Sequence, residues 1–332
     1  MRLKDIENIR RRNADAIQPL PEGDFSASVG KLFTLKPNES LRQRLARIVA
    51  RPMLAAQSHK ARELTPTDTT LKVNYWTLEE RYGNHACWAA LMQKLPRLSK
   101  VDVLIPGCYA AGEEVQFWLR RSVKSLSGID IYSLDALWDR IIPELVNFYQ
   151  TPITFKQGSI EAIPYEDKQF DIIVSESVLE HVQNLNAMME ETFRVLKPGG
   201  YALHTFGPLY YSYGADHCIA AYGEAHAYDH LLLCETDYRV KIADQQVFQK
   251  AVGNPNLAFW AENDQFSFAT ASDYLNVLEQ RFEIVYSVAK ISQKGLSFRA
   301  NHPKKWAALL ASGIPESDLI IKGLGLLVRR PR

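Results

Sequence analysis

The rhythm of apolar and polar positions changes near residue 100. Before it, apolar residues recur at helical spacing, broken by QPLPEGDF and ELTPTDTT, which are turn and loop signals. TLEERYGNHACWAALMQKL (77–95) predicts a helix that starts at Thr77, with Glu80 three positions on in capping-box spacing. From 101 onward, short β-type runs alternate with helical ones. VDVLI (101–105), SLSGIDI, ITFKQ, FDIIVS (170–175) and YALHTF (201–206) predict strands. EEVQFWLRRS, LDALWDRIIPELVNFYQ and NLNAMMEETFRVL predict the helices, the last stopped by KPGG. A helix at DYLNVLEQR follows, then strands at FEIVYSVAK and near LIIKGLGLLVRR, which can pair antiparallel.

Strand–helix alternation requires a parallel sheet covered on both faces. The expectation is an α/β, Rossmann-like fold: a seven-stranded, mostly parallel sheet with helices on both faces and a helical N-terminal extension. Residues 1–95 form the extension or cap, and 96–332 the main domain, with a lid or substrate insertion at 207–236. In such sheets ligands bind at the carboxyl ends of the strands, beside the switch point. That directs attention to the positions just after 105, 131, 157, 175 and 206.

After the first of these strands comes PGCYAAGEE (106–114). Gly107 and Gly112 bracket a turn that leads into a helix, whose N-terminus offers free N–H donors and a partial positive charge. The spacing is G-x-x-x-x-G, with Cys108 and Tyr109 inside it, so neither a dinucleotide fingerprint nor a P-loop is present. Asp130 follows Gly107 by 23 positions, close to where an acid accepts the ribose hydroxyls of an adenosine. Ile131 then lies against the adenine. The plainer alternative for Asp130 is a solvated acid at a strand end.

GIDI, QGSIEAIPYEDKQFDIIVSESVLEHV and ETFRVLKPGGYALHTF resemble, in order and spacing, the class I S-adenosylmethionine-dependent methyltransferases, in particular their small-molecule branch. The resemblance covers about residues 100–206 and weakens from 237 to 330. It implies S-adenosyl-L-methionine as cofactor. Gly107 and Gly112 match the ends of the turn beneath the methionine moiety, and Asp130 matches the ribose acid. Ser159 stands where the family usually has an aspartate on the adenine amino group, and Ile160 can pack on the ring. Ser175, Glu176 and Ser177 fall beside the reactive methyl, with Glu176 able to hold the cofactor's amino group or stabilise the cation. The family's chemistry is in-line displacement of a methyl from a sulfonium.

The segment 207–236, GPLYYSYGADHCIAAYGEAHAYDHLLLCET, leaves the sheet beside that site and is long for a connection. Tyr210, Tyr211, Tyr213 and Tyr222, with His217 and His226, are read as a substrate-binding wall for a ring-shaped or polyhydroxylated acceptor. His217 is the first candidate for a base that takes the acceptor's proton, with His181 and Glu176 as further catalytic candidates. Each histidine has packing or surface exposure as its alternative. His226 and His230, four apart, would share a helix face with Asp216 or His217 near, but hard metals favour carboxylates, and no metal is expected. Trp76, Arg81 and Tyr82 are read either as part of the roof of the site or, equally, as packing residues between the two parts of the chain.

Net charge is +1, so nucleic acid is not expected as a partner, although the basic segment LRQRLARIVARPM (41–53) reads as an amphipathic helix with an arginine face. The four cysteines, Cys87, Cys108, Cys218 and Cys234, are scattered and read as free thiols in a cytoplasmic protein. The N-terminus is charged throughout, unlike a signal peptide, and no apolar run is long enough to span a membrane. The expected function is methyl transfer from S-adenosylmethionine to the oxygen of a small-molecule or sugar-like acceptor. The alternatives are a methyltransferase-like binding protein without turnover, or a protein or RNA methyltransferase. Acceptor and oligomeric state are not legible.

Overall fold

The chain folds around one eight-stranded sheet in the order β1-β7-β8-β6-β5-β2-β3-β4. The strands are β1 (Tyr75–Thr77), β2 (Asp102–Pro106), β3 (Ser125–Asp130), β4 (Ile153–Gln157), β5 (Phe170–Glu176), β6 (Leu196–Phe206), β7 (Glu283–Ile291) and β8 (Ile321–Arg329). The computed structural model describes residues 3–13, 16–17, 19–67, 69–95, 97–217, 222–243 and 261–332. Cys218 and part of the expected insertion lie outside the described residues.

β2 pairs in parallel with β3 and β5, β3 with β4, and β5 with β6. β8 runs antiparallel between β6 and β7, as the last two apolar runs allowed. Side chains alternate across β2. Val103 and Ile105 pack with Trp118 and Leu137 on one face, and Leu104 packs with Met188 on the other. Both faces are therefore buried, which is why these strands are apolar at nearly every position.

The sheet has one strand more than expected, and it comes from the region read as helical. Tyr75–Thr77 pairs in parallel with β7 at Val288–Lys290. Thr77 therefore does not start a helix. Its Oγ1 donates to Glu79 O and accepts from Glu79 N, both at 3.0 Å, and the helix runs Glu80–Met92. The predicted capping box does not form, because Thr77 is already in the sheet. A capping box does occur at Ser40 and Gln43, opening the helix Leu41–Glu63. That helix buries Ala46, Ala50, Leu54 and Ala61. Its outer face is not purely basic: Leu41 and Ile48 are 70% and 72% exposed. KPGG follows the end of the helix Leu185–Val195, as expected, and β6 begins earlier than the predicted strand, at Leu196.

Among the described residues no helix is long and apolar enough to cross a membrane.

Candidate active site

β2 is the strand at which the sheet order reverses, flanked by β3 and β5. Its carboxyl end opens into the PGCYAAGEE turn. Gly107 has φ 74°, and a Cβ there would lie 2.6 Å from Val178 Cγ2, so only glycine fits. The N–H groups of Gly107 and Cys108 both donate to Ile129 O, at 2.8 and 3.1 Å. Tyr109 and Ala111 also adopt left-handed backbone, at φ 42° and 52°. Non-glycine residues there are strained, so surrounding contacts must hold them. Tyr109 N donates to Asp130 Oδ2 at 3.0 Å, and Trp138 Nε1 donates to Tyr109 O at 2.9 Å. Ala111 N donates to Cys108 O at 2.9 Å, and Gln116 Nε2 to Ala111 O at 2.9 Å. The turn thus keeps a glycine-like path without glycine at its middle. The helix Glu113–Leu119 starts directly after it, with Gly112 as N-cap.

Asp130 ends β3 and is 6% exposed. Its Oδ1 accepts from Tyr132 N at 3.1 Å. Burial pushes its carboxyl up to about 6, against the pull of the backbone N–H groups, so it is ionised at neutral pH. A carboxylate has about four lone-pair sites, and the Tyr109 and Tyr132 amides use two of them.

These residues line a cavity of about 520 Å³, within the range of small-molecule sites. Every residue that the sequence reading assigned to the cofactor lines it: Gly107, Cys108, Tyr109, Gly112, Asp130, Ile131, Ser159, Ile160, Glu176 and Ser177. His181 and His217 line it as well. Three contributions were not foreseen. Pro19, Leu20 and Pro21 close one side, tied down by Gln157 Nε2, which donates to Pro21 O at 3.1 Å and Ile131 O at 2.9 Å. The only sequence signal for them was the turn-forming QPLPEGDF. Glu161 also lines the cavity, two residues after Ser159. Its Oε1 accepts from Gln183 N at 2.8 Å, while Oε2 is buried without a hydrogen-bond partner among the described residues. Burial raises its carboxyl.

The third is Trp88, on Glu80–Met92, whose Nε1 donates to Glu176 Oε1 at 2.7 Å. Burial and the neighbouring Glu114 carboxyl raise the Glu176 carboxyl, which favours its protonated form until a cation arrives. The roof is thus built differently from expectation. Trp76 is 5% exposed and packs in the core under the Arg62 guanidinium, 4.9 Å from its ring. Tyr82 packs against the core, and Arg81 lines a neighbouring cavity of about 500 Å³ that shares Glu114 and Glu176 with the first.

At one end of the cavity the His181 and His217 rings lie 5.1 Å apart. His181 Nδ1 is 2.8 Å from Gln265 O, a geometry that places the proton on Nδ1. Burial, then the nearby His217, depresses His181 to about 3. Burial also lowers His217, whose Nε2 is buried without a hydrogen-bond partner among the described residues. Both imidazoles are neutral at pH 7. His217 has φ 62°, a further strained position at the cavity wall. Glu180, which precedes His181, is buried. Its Oε1 accepts from Gly207 N at 3.2 Å, and burial pushes it up to about 8.

The aromatic segment does not form the expected wall. Tyr210 is 1% exposed and packs on Phe268, ring centroids 4.5 Å apart. Tyr211 donates to Phe268 O at 3.2 Å. Tyr222 donates to Lys241 O at 2.6 Å, and His226 Nδ1 sits 2.7 Å from Asp229 Oδ2. Tyr213 lines a third cavity, apart from the first. None of these five lines the cavity that holds Asp130. Tyr210 packs its ring on Phe266 and Phe268, where a buried aromatic gains contact area on several sides. His226 and His230 do not share a helix either: His226 ends a 3₁₀ turn, while His230 lies in Asp229–Leu232 with Nε2 2.9 Å from Tyr210 O. Among the described residues no three His, Cys, Asp or Glu side chains group as metal ligands.

A methyltransferase-domain family matches residues 106–204, the stretch from the glycine turn through most of β6. An uncharacterized methyltransferase of Schizosaccharomyces pombe is 33% identical over 89 residues, 27% of this chain and 29% of that protein. The malonyl-[acyl-carrier protein] O-methyltransferase of Enterobacter lignolyticus is 30% identical over 116 residues, 35% of this chain and 43% of that protein. The chain thus spans less than half the length of these curated relatives. A crystal structure of an S-adenosylmethionine-dependent methyltransferase from Mesorhizobium loti superposes with TM-score 0.44 at 16% identity, covering 73% of this chain and 97% of that one. Residues 106–204, which hold the glycine turn, Asp130 and the β5 end, thus match the methyltransferase-domain family, and this part of the chain is similar to the class I S-adenosylmethionine-dependent methyltransferases.

Proposed function

We propose that this protein transfers a methyl group from S-adenosylmethionine to an oxygen of a small-molecule or sugar-like acceptor. The observation that carries this reading is the convergence of the glycine turn, Asp130 and the β5 end on one cavity of about 520 Å³. The residues there suit the cofactor. Asp130 is ionised and keeps acceptor capacity for two ribose hydroxyls. Ile131 and Ile160 offer apolar surface to the adenine. In place of the missing aspartate, the unpartnered Oε2 of Glu161 accepts from the adenine amino group. Glu176 and Glu114 take the ammonium end, the cation drawing the raised Glu176 carboxyl back to the ionised form.

When bound, the cofactor supplies a sulfonium-activated methyl carbon. The chain's part is to bind, orient, exclude water and move a proton. Pro19–Pro21 and Trp88 cover the site. His217, neutral with an unpartnered Nε2, takes the proton of the acceptor hydroxyl, and His181 is the neighbouring imidazole that holds its ring in place. Oxygen as the acceptor atom is supported by this neutral base and by the O-methyltransferase among the relatives. The buried free thiols Cys87 and Cys108 support a reducing, cytoplasmic setting.

Calorimetric titration with S-adenosylmethionine tests the first half. Saturable binding at micromolar cofactor is expected, and no heat at millimolar cofactor would overturn the reading. Labelled cofactor incubated with cell extract tests the second half: label should move to a small molecule, and label on RNA or protein instead would refute the acceptor class.

A further inference from the structure

A cavity of about 340 Å³ opens at the antiparallel end of the sheet, between the start of Glu80–Met92, the chain after β6, and the ends of β7 and β8. It shares no lining residue with the cavity that holds Asp130. Three ammonium groups line it: Lys290 on β7, Lys322 on β8 and Lys294 on the helix Gln293–Asn301. Glu80 is the one carboxylate among the lining residues. It pairs with Lys322 at 2.6 Å, while its other oxygen is 3.7 Å from Lys290 Nζ.

Lys290 is the unusual member. It is 2% exposed, and its Nζ donates to Phe206 O at 3.3 Å. A buried ammonium with most of its donors unmet is costly unless an anion compensates it. Burial lowers Lys290 towards the neutral amine, against the pull of Glu80, Glu180 and Glu176, and burial also raises the Glu180 and Glu176 carboxyls. An added anion would favour its ammonium form. Lys294 is exposed, with its Nζ 5.8 Å from the Tyr213 ring and no carboxylate partner among the described residues. Positive charge therefore exceeds negative in a cavity large enough for a ligand group.

We propose that this cavity is a binding site for a small acid, a phosphate monoester or a carboxylate, whose anionic group is taken by Lys290, Lys294 and Lys322. Charge-assisted N–H···O bonds from three ammoniums would supply the neutralisation that Glu80 alone does not. The site stands on its own residues and does not depend on the methyltransferase reading.

The test is calorimetric titration of the full chain at low ionic strength with inorganic phosphate, and separately with acetate, using chloride at matched ionic strength as control. Saturable one-site binding of phosphate or acetate beyond the chloride control is expected. Tighter phosphate identifies a phosphate monoester, and tighter acetate a carboxylate. Lys294→Ala should weaken binding about fivefold, the loss of one exposed charged contact, and Lys294→Glu should abolish it. Lys294 is exposed, so both variants should fold, and their affinity for S-adenosylmethionine should equal that of the parent. Heats no larger than chloride, or unchanged affinity in Lys294→Glu, would overturn the proposal.

Discussion

The strand ends of the parallel half and the segment after β6 leave the same sheet, yet they use their side chains in opposite ways. At the ends of β2, β3 and β5, polar and glycine positions meet at a cavity. In the described part of residues 207–236, Tyr210 and Tyr228 turn into the core, and none of the tyrosines there lines the cavity that holds Asp130. The difference lies in what fixes each side chain's direction. At a strand end, sheet pairing fixes direction. Asp130 faces the site because β3 pairs with β2 in a set register and ends there. In an irregular segment no such period applies, and large rings go wherever they bury most area. One residue of that segment breaks the pattern: His217, beyond the Gly214 turn, does reach the cavity.

That exception gives the sharpest way to break the contrast. His217→Ala should lower kcat by about 10²–10⁴-fold with the cofactor Kd unchanged, the range for loss of a general base. Unchanged kcat in single-turnover assays would return the whole segment to packing. Tyr210→Ala tests the opposite side. Removing this buried ring should cost about 3–5 kcal/mol in denaturant unfolding and leave cofactor affinity unaltered in the folded fraction. A loss of affinity with stability kept would place the tyrosine at the site after all.

The next effects lie on the cavity side. Asp130→Ala should weaken S-adenosylmethionine by about 10- to 150-fold in calorimetry, the cost of one to two charged hydrogen bonds. The pH dependence sharpens the same point. Asp130 accepts hydroxyl donors at full strength only when ionised, and its carboxyl sits at about 6. Affinity should be flat above pH 7 and fall as pH drops through 6, by about tenfold at pH 5. In Asp130→Asn that step should vanish; a persistent step would assign the titration to another group. Stability alone should move the other way. A carboxyl raised in the folded state binds its proton before the unfolded chain does, so Asp130 makes the empty protein less stable as pH rises from about 4 to 6. The smallest effect is expected for Tyr109→Gly, which relieves a left-handed residue but frees the unfolded chain. A stability change within about 1 kcal/mol is expected, and a larger loss would show that the ring, lying 6.4 Å from Tyr132, supports the site by packing.

The missing glycine in PGCYAAGEE therefore has a structural answer. The turn does not need glycine at 109 because Asp130 holds the Tyr109 N–H and Trp138 holds its carbonyl. The resemblance drawn from the sequence correctly anticipated the family and where the turn and the acid would meet. It did not reveal that Asp130 also holds the turn in shape. Nor did it show that Glu161, two positions after the substituted Ser159, brings a buried carboxylate to the same wall.

The succession of strands and helices from 101 to 206, the strand before the turn and the helix after it, and the placement of Gly107, Asp130 and Glu176 at strand ends were legible in the sequence itself. They depend on periods of two and 3.6 residues and on breakers such as Gly107, all of which act over a few neighbouring positions. The tertiary structure alone decided that Tyr75–Thr77 joins the sheet, that Trp88 reaches Glu176 across 88 residues, and that Lys290 and Lys322 meet one carboxylate from the N-terminal region. Those outcomes depend on which distant surfaces bury each other. No local pattern carries that information, because the free energy of burial belongs to the pair and not to either segment.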